Sequence, residues 1–157
     1  MPVTRYPAQI TRHFFVPAVA GLNETDGTKI VCDIYGLSFP HAKLCSASST
    51  IIVPTDFVSG MTVKTIVRSQ HYGSIYGLQY FCSGKVEEGY YDSNTVDTEG
   101  TCSVFENENT VVMTITVDFA DCGDIMSLRF TRDGTHGSDD DFSVWFVGWI
   151  IEYTAEY

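Results

Sequence analysis

The residues best equipped for chemistry lie in TRDGTHGSDDD, residues 131–141, where Asp133, Asp139, Asp140 and Asp141 place their carboxylates in one Gly-containing loop. Oxygen-rich loops of this kind can hold Ca²⁺, but the D-x-D-x-D-G order and the downstream Glu of a calcium loop are absent. The other use of these carboxylates is ion pairing. Arg129 and Arg132 lie on the strand that enters the loop, and a fork-like contact from one of them to Asp139, Asp140 or Asp141 would pin the register of a hairpin. The sequence favours pairing, so neither metal nor cofactor is expected. Glu87 and Glu88 are the carboxylates that glycoside hydrolysis would need, yet adjacent residues on a strand point to opposite faces. Gly73-Ser74-Ile75-Tyr76-Gly77 surrounds a serine with glycines at the wrong spacing for a nucleophile elbow. The histidines, His13, His41, His71 and His136, form no H-x-H or H-E-x-x-H pair and read as loop or surface residues. Five cysteines, Cys32, Cys45, Cys82, Cys102 and Cys122, contain no C-x-x-C and no zinc spacing. They read as buried free thiols of a chain made in a reducing cytoplasm, although a bridge between distant cysteines stays open. No enzyme is expected.

The elements that must position these residues have period two, and no window of 11 to 18 residues carries a helical stripe. Strands are expected over Lys29 to Gly36, Ser49 to Phe57, Met61 to Gln70, Tyr76 to Ser83, Thr110 to Phe119, Asp124 to Arg132 and Phe142 to Tyr153. Ser59-Gly60 reads as the turn into the third of these, and Pro54 as a bend or edge position. In Met61 to Gln70, Met61, Val63, Thr65 and Val67 alternate with Thr62, Lys64, Ile66 and Arg68. In Thr110 to Phe119, the row Val111, Met113, Ile115, Val117, Phe119 reads as core. Residues 84–109, rich in Gly, Glu, Asp and Asn, read as loops around one short strand. The fold class is all-β: a two-sheet antiparallel sandwich, jelly-roll-like, of about eight to ten strands.

The final segment, FSVWFVGWIIEY, is apolar on both faces. A sandwich strand turns only one row toward the opposite sheet. Strict alternation puts Trp145, Val147, Trp149, Ile151 and Tyr153 in one row, which suits an oligomer or partner interface, a cover formed by residues 1–25, or, through its two indoles, a sugar platform. A buried Trp removes about 150–250 Å² from water at ~25 cal/mol per Å², so leaving both exposed would forgo several kcal/mol.

Bulk properties narrow the classes. At 157 residues the chain is expected to be one domain over residues 1–157, with 1–25 an extended arm or first strand. With 44% hydrophobic, 13% aromatic and 18% charged residues it is a folded globular chain. A net charge of −11 without a basic run argues against nucleic acid and anionic membranes. The apolar stretch before Pro17 is too short for a signal peptide core.

The ending, GDIMSLRFTRDGTHGSDDDFSVWFVGWIIEY, resembles the closing hairpin of small β-sandwich virion proteins of tailed bacteriophages. The likeness rests on Gly123-Asp124, Arg132-Asp133, the aspartates at 139–141, Gly148 and Glu152-Tyr153, with VPTDFVSGMTVKTIV similar to an internal strand pair. The resemblance implies a virion structural protein, capsid cement (decoration) or tail-fibre and receptor-binding in type. Between these, a chain with room for the sandwich and a short arm fits cement better. The expectation is then a homotrimer on the capsid exterior, assembled in the host cytoplasm. It would stabilise the shell by non-covalent contacts with the major capsid protein, many weak identical contacts summing on a fixed lattice. The alternative is a carbohydrate-binding or receptor-binding module that takes a glycan.

Overall fold

A computed structural model describes residues 8–84 and 95–156. The described residues form eleven strands and no helix: β1 (Gln9–Pro17), β2 (Ala20–Asn23), β3 (Thr28–Val31), β4 (Leu37–Phe39), β5 (Leu44–Ile52), β6 (Phe57–Ser69), β7 (Gly73–Gly84), β8 (Thr95–Val104), β9 (Asn109–Val117), β10 (Ile125–Asp133) and β11 (Val144–Glu156). They make two antiparallel sheets packed face to face. One has the order β1-β11-β6-β9, with β4 also pairing β11; the other has the order β3-β2-β5-β10-β7-β8. From β5 to β11 the chain crosses between the sheets at every step except the β7–β8 hairpin, which gives the jelly-roll-like sandwich.

Period-two alternation explains most of the core. Met61, Val63, Thr65 and Val67 of β6 are fully buried, as are Met126, Leu128 and Phe130 of β10. Between the sheets Phe39, Phe130, Phe146 and Trp149 form an aromatic stack with centroid distances of 4.7 to 6.3 Å. Several boundaries differ from the expectation. Lys29 to Gly36 is not one strand: β3 ends at Val31, and Asp33 turns the chain by accepting the amides of Tyr35 and Gly36 before β4 begins. Ser59-Gly60 is not a turn. β6 runs through it from Phe57, with Gly60 at φ +68° where the pairing with β11 slips. Val111 lies outside the core row, because the β6–β9 register slips between Thr65 and Ile66.

The largest correction concerns β11. Phe146 pairs with Val67 and Gly148 with Ile66, so Val147 is an extra residue, a β-bulge, on this strand. Before the bulge the even residues Val144 and Phe146 face the core; after it the odd residues Trp149, Ile151, Tyr153 and Ala155 do. The expected row of Trp145, Val147, Trp149, Ile151 and Tyr153 is therefore split between two faces. Trp149 and Ile151 are fully buried and Tyr153 nearly so, which removes all three from any surface interface and dissolves the two-indole sugar platform. The opposite sheet covers that row. Trp145 and Val147 lie on the other face, half-buried. There the Asp33–Gly36 loop covers Trp145: the indole Nε1–H donates to Asp33 Oδ2 at 3.0 Å, and Tyr35 meets the ring edge-on at 5.4 Å.

Candidate functional site

Two of the hairpin aspartates, Asp139 and Asp140, bind neighbouring segments of the chain. Arg132 points between the sheets with its side chain fully buried, and Nε and Nη2 grip the two oxygens of Asp139 at 2.9 and 2.5 Å. Its remaining contacts go to the carbonyls of Phe39 (2.7 Å), Asp140 (3.2 Å) and Phe142 (2.7 Å). Asp139 also accepts the amide of Tyr76 at 2.9 Å, and Asp140 that of Ser74 at 2.7 Å, so the loop is stitched to the start of β7. Asp141 is exposed. Arg129, expected as a partner of these aspartates, faces the other side of β10 and pairs with Glu24 instead. Alternation decides this: Arg129 and Arg132 are three positions apart, an odd step that reverses the face. Among the described residues no group of three or more His, Cys, Asp or Glu side chains is placed to hold a metal ion. Glu87 and Glu88 lie outside the described residues.

The site that sequence reasoning missed is on the outer face of the six-stranded sheet. Cross-strand register brings Ser46 of β5, Thr131 of β10, Leu78 of β7 and Glu99 of β8 into one line, and Ser48, Arg129, Tyr80 and Asp97 into the next. On this face lies a groove of about 690 Å³. That lies within the ~300–1,000 Å³ typical of ligand sites. Leu44, Leu78 and Tyr80 supply apolar wall; Glu24, Asp97, Glu99, Asp133, Arg129 and Thr131 supply polar groups. Tyr80 is exposed at 42%. Glu24 is held in place by the Ser46 hydroxyl, which donates to Oε1 at 2.5 Å, while Arg129 pairs with the same oxygen.

Beside the groove, Tyr76 stacks flat on His136, with centroids 3.7 Å apart and planes 12° from parallel. Burial first, then the negative charges of Glu99 and Asp133 and a hydrogen bond to Glu99, push the Tyr76 hydroxyl above its usual ionisation range. One signal in the sequence marked this face. In Ile75 to Phe81 the odd residues Ile75, Gln79 and Phe81 are buried, leaving Tyr76, Leu78 and Tyr80 to a face that sequence alone leaves unassigned.

No family model matches the chain, and a search of curated proteins returns no match. Solved structures do match. A xylan-binding module, CBM15, is 15% identical, with 96% of this chain and 99% of that one covered and a TM-score of 0.47. The enzymatically active domain of bacteriophage CBA120 tailspike protein 4 is 9% identical, covering 95% of this chain and 19% of that one, with a TM-score of 0.40. A structure of infectious bursal virus-derived T=1 particles is 13% identical, covering 93% of this chain and 32% of that one, with a TM-score of 0.42. The function must be argued from the groove.

Proposed function

We propose that the chain is a non-catalytic β-sandwich binding module of a phage particle, and that it recognises carbohydrate through the groove on its six-stranded sheet. The groove itself carries this reading: a trough lined by an exposed tyrosine, carboxylates and a guanidinium. Sugars present apolar C–H faces that lie on aromatic rings and hydroxyls that need both donors and acceptors. Tyr80 meets the first need, while Arg129 with Glu24, Asp97 and Glu99 meets the second. The virion setting rests on the resemblance of the closing hairpin to phage virion proteins. The test is a glycan array followed by titration calorimetry on the best binder. The purified chain is expected to retain at least one glycan, and Tyr80→Ala to weaken it about tenfold or more, the loss of ~1–2 kcal/mol of stacking. A blank array, or Tyr80→Ala binding like the parent, would refute the reading.

A specific observation favours a second reading, the trimeric capsid cement. Val19, Val31 and Ile34 are exposed at 72%, 66% and 87%, and they lie on or next to β2 and the edge strand β3. Edge strands flanked by exposed apolar side chains invite a neighbouring chain. On this reading the chain joins two copies of itself on the capsid exterior and contacts the major capsid protein. Light scattering on the purified chain, followed by co-sedimentation with empty capsids, decides it: a trimer that decorates shells supports cement, and a monomer that ignores them sinks it.

A further inference from the structure

The six-stranded sheet carries a second, smaller groove of about 370 Å³ over β2 and β5, floored by Ala20, Ser46 and Ser48. Two residues line both grooves: Glu24 and Arg129. Their ion pair therefore forms a low bar across a single track that runs over β2, β5, β10, β7 and β8. At ~4.8 Å per strand, four gaps make that track about 19 Å long. The larger groove lies beyond the bar on the β7–β8 side. Among the described residues that line it there are four carboxylates, Glu24, Asp97, Glu99 and Asp133, and one guanidinium, which is already engaged by Glu24.

Resting on the carbohydrate reading above, we infer that the ligand is an uncharged linear oligosaccharide that lies across both grooves, with the Arg129–Glu24 pair beneath its middle. Length follows from the geometry. A single ring fills one groove and leaves the other to water, whereas a chain crossing the bar contacts both and loses little further translational freedom. Lack of charge follows from the lining, since a uronate or sialic acid would bring its carboxylate against unbalanced negative charge with no free cation among the described residues that line the groove. The Tyr76 hydroxyl, pushed up first by burial, is pushed up further by the negative charges of Glu99 and Asp133. The Arg129–Glu24 pair also serves a diol well, offering a donor and an acceptor side by side on one support.

The experiment is a calorimetric ladder: cello- and xylo-oligosaccharides of two to six residues, with oligogalacturonates of the same lengths as acidic counterparts. The neutral hexamer is expected to bind about tenfold or more tighter than the dimer of its own series, and more tightly than the acidic hexamer. Ser48→Phe, which fills only the smaller groove from an exposed position, is expected to abolish the gain with length. Equal affinity for dimer and hexamer, a length gain that survives Ser48→Phe, or a preference for the acidic series would each overturn the inference while leaving carbohydrate binding intact. Absence of binding by every member, together with a blank glycan array, would remove the carbohydrate reading and this inference with it.

Discussion

Two arginines on β10, three residues apart, show how differently the same side chain is used. Arg132 is sealed between the sheets, and removing its carboxylate partner leaves a charge with nowhere to go. Arg129 is about half exposed, so water replaces its partner at little cost. Asp139→Asn is therefore expected to destabilise the fold by ~3–5 kcal/mol. At roughly 2–4 °C per kcal/mol for a chain of this size, that lowers the melting temperature by on the order of 6–20 °C. Glu24→Gln, which breaks the Arg129 pair, should shift it by no more than about 4 °C, since exposed pairs contribute ~0–1 kcal/mol. Scanning calorimetry of the two variants side by side checks the contrast; equal shifts would mean that burial is not what distinguishes the pairs. The Arg132–Asp139 contact was legible in the sequence because its members are seven residues apart across one loop. The Arg129–Glu24 contact spans 105 residues, a separation that no local pattern encodes.

At the scale of strands, alternation was readable wherever pairing runs without a slip, as along Met113 to Val117 and the Met61 to Thr65 stretch that pairs with it. It failed where a bulge reverses the faces. In β11 nothing in the side chains announces the reversal, because Trp, Val and Ile populate both rows; only Gly148 marks the place. It sits at φ +146°, a conformation that L side chains rarely adopt, and a Cβ there would press into the carbonyl oxygen of Val16 and the ring of Phe15. Gly148→Ala is thus expected to cost at least ~1–3 kcal/mol from backbone conformation, with the clash against β1 added. Gly137→Ala, where a Cβ meets open space, is the control and should be near neutral. Urea unfolding of both variants measures the difference, and a stable Gly148→Ala would show that β1 can move aside and that the bulge does not fix the face of Trp149. The groove was illegible for a related reason. Its lining comes from β5, β7, β8 and β10 with a residue just past β2, and their adjacency exists only once the sheet order is known.

Over the whole molecule, the groups whose ionisation the fold moves most plainly are shifted in one direction on the alkaline side. Burial pushes the Cys45 thiol from 9.0 up to about 11, and burial together with hydrogen-bonded carboxylates raises Tyr76 and Tyr153 above 10.0. Each is bound by its proton more tightly in the folded state, so its contribution is complete below the unfolded value and is lost as pH rises through the folded one. On the acid side Asp26, held by Thr28, is shifted down, so its contribution is present above 3.8 and is lost as pH falls. Stability should therefore form a plateau from about pH 5 to pH 8 and decline above about pH 9, with the Cys45 share of the loss falling between pH 9 and about pH 11. Cys45→Ala tests the largest share. The variant loses some packing at neutral pH, but its urea midpoint should fall less between about pH 8 and pH 11, because no buried thiolate forms; an unaltered alkaline slope would assign the loss to the tyrosines. Thiol labelling gives an independent reading of the same burial, since the exposed Cys32 and Cys122 should react quickly in the native protein, and Cys45, Cys82 and Cys102 only as the sandwich opens. Labelling of Cys45 at the rate of Cys122 would mean that the sheets part far more often than this core allows.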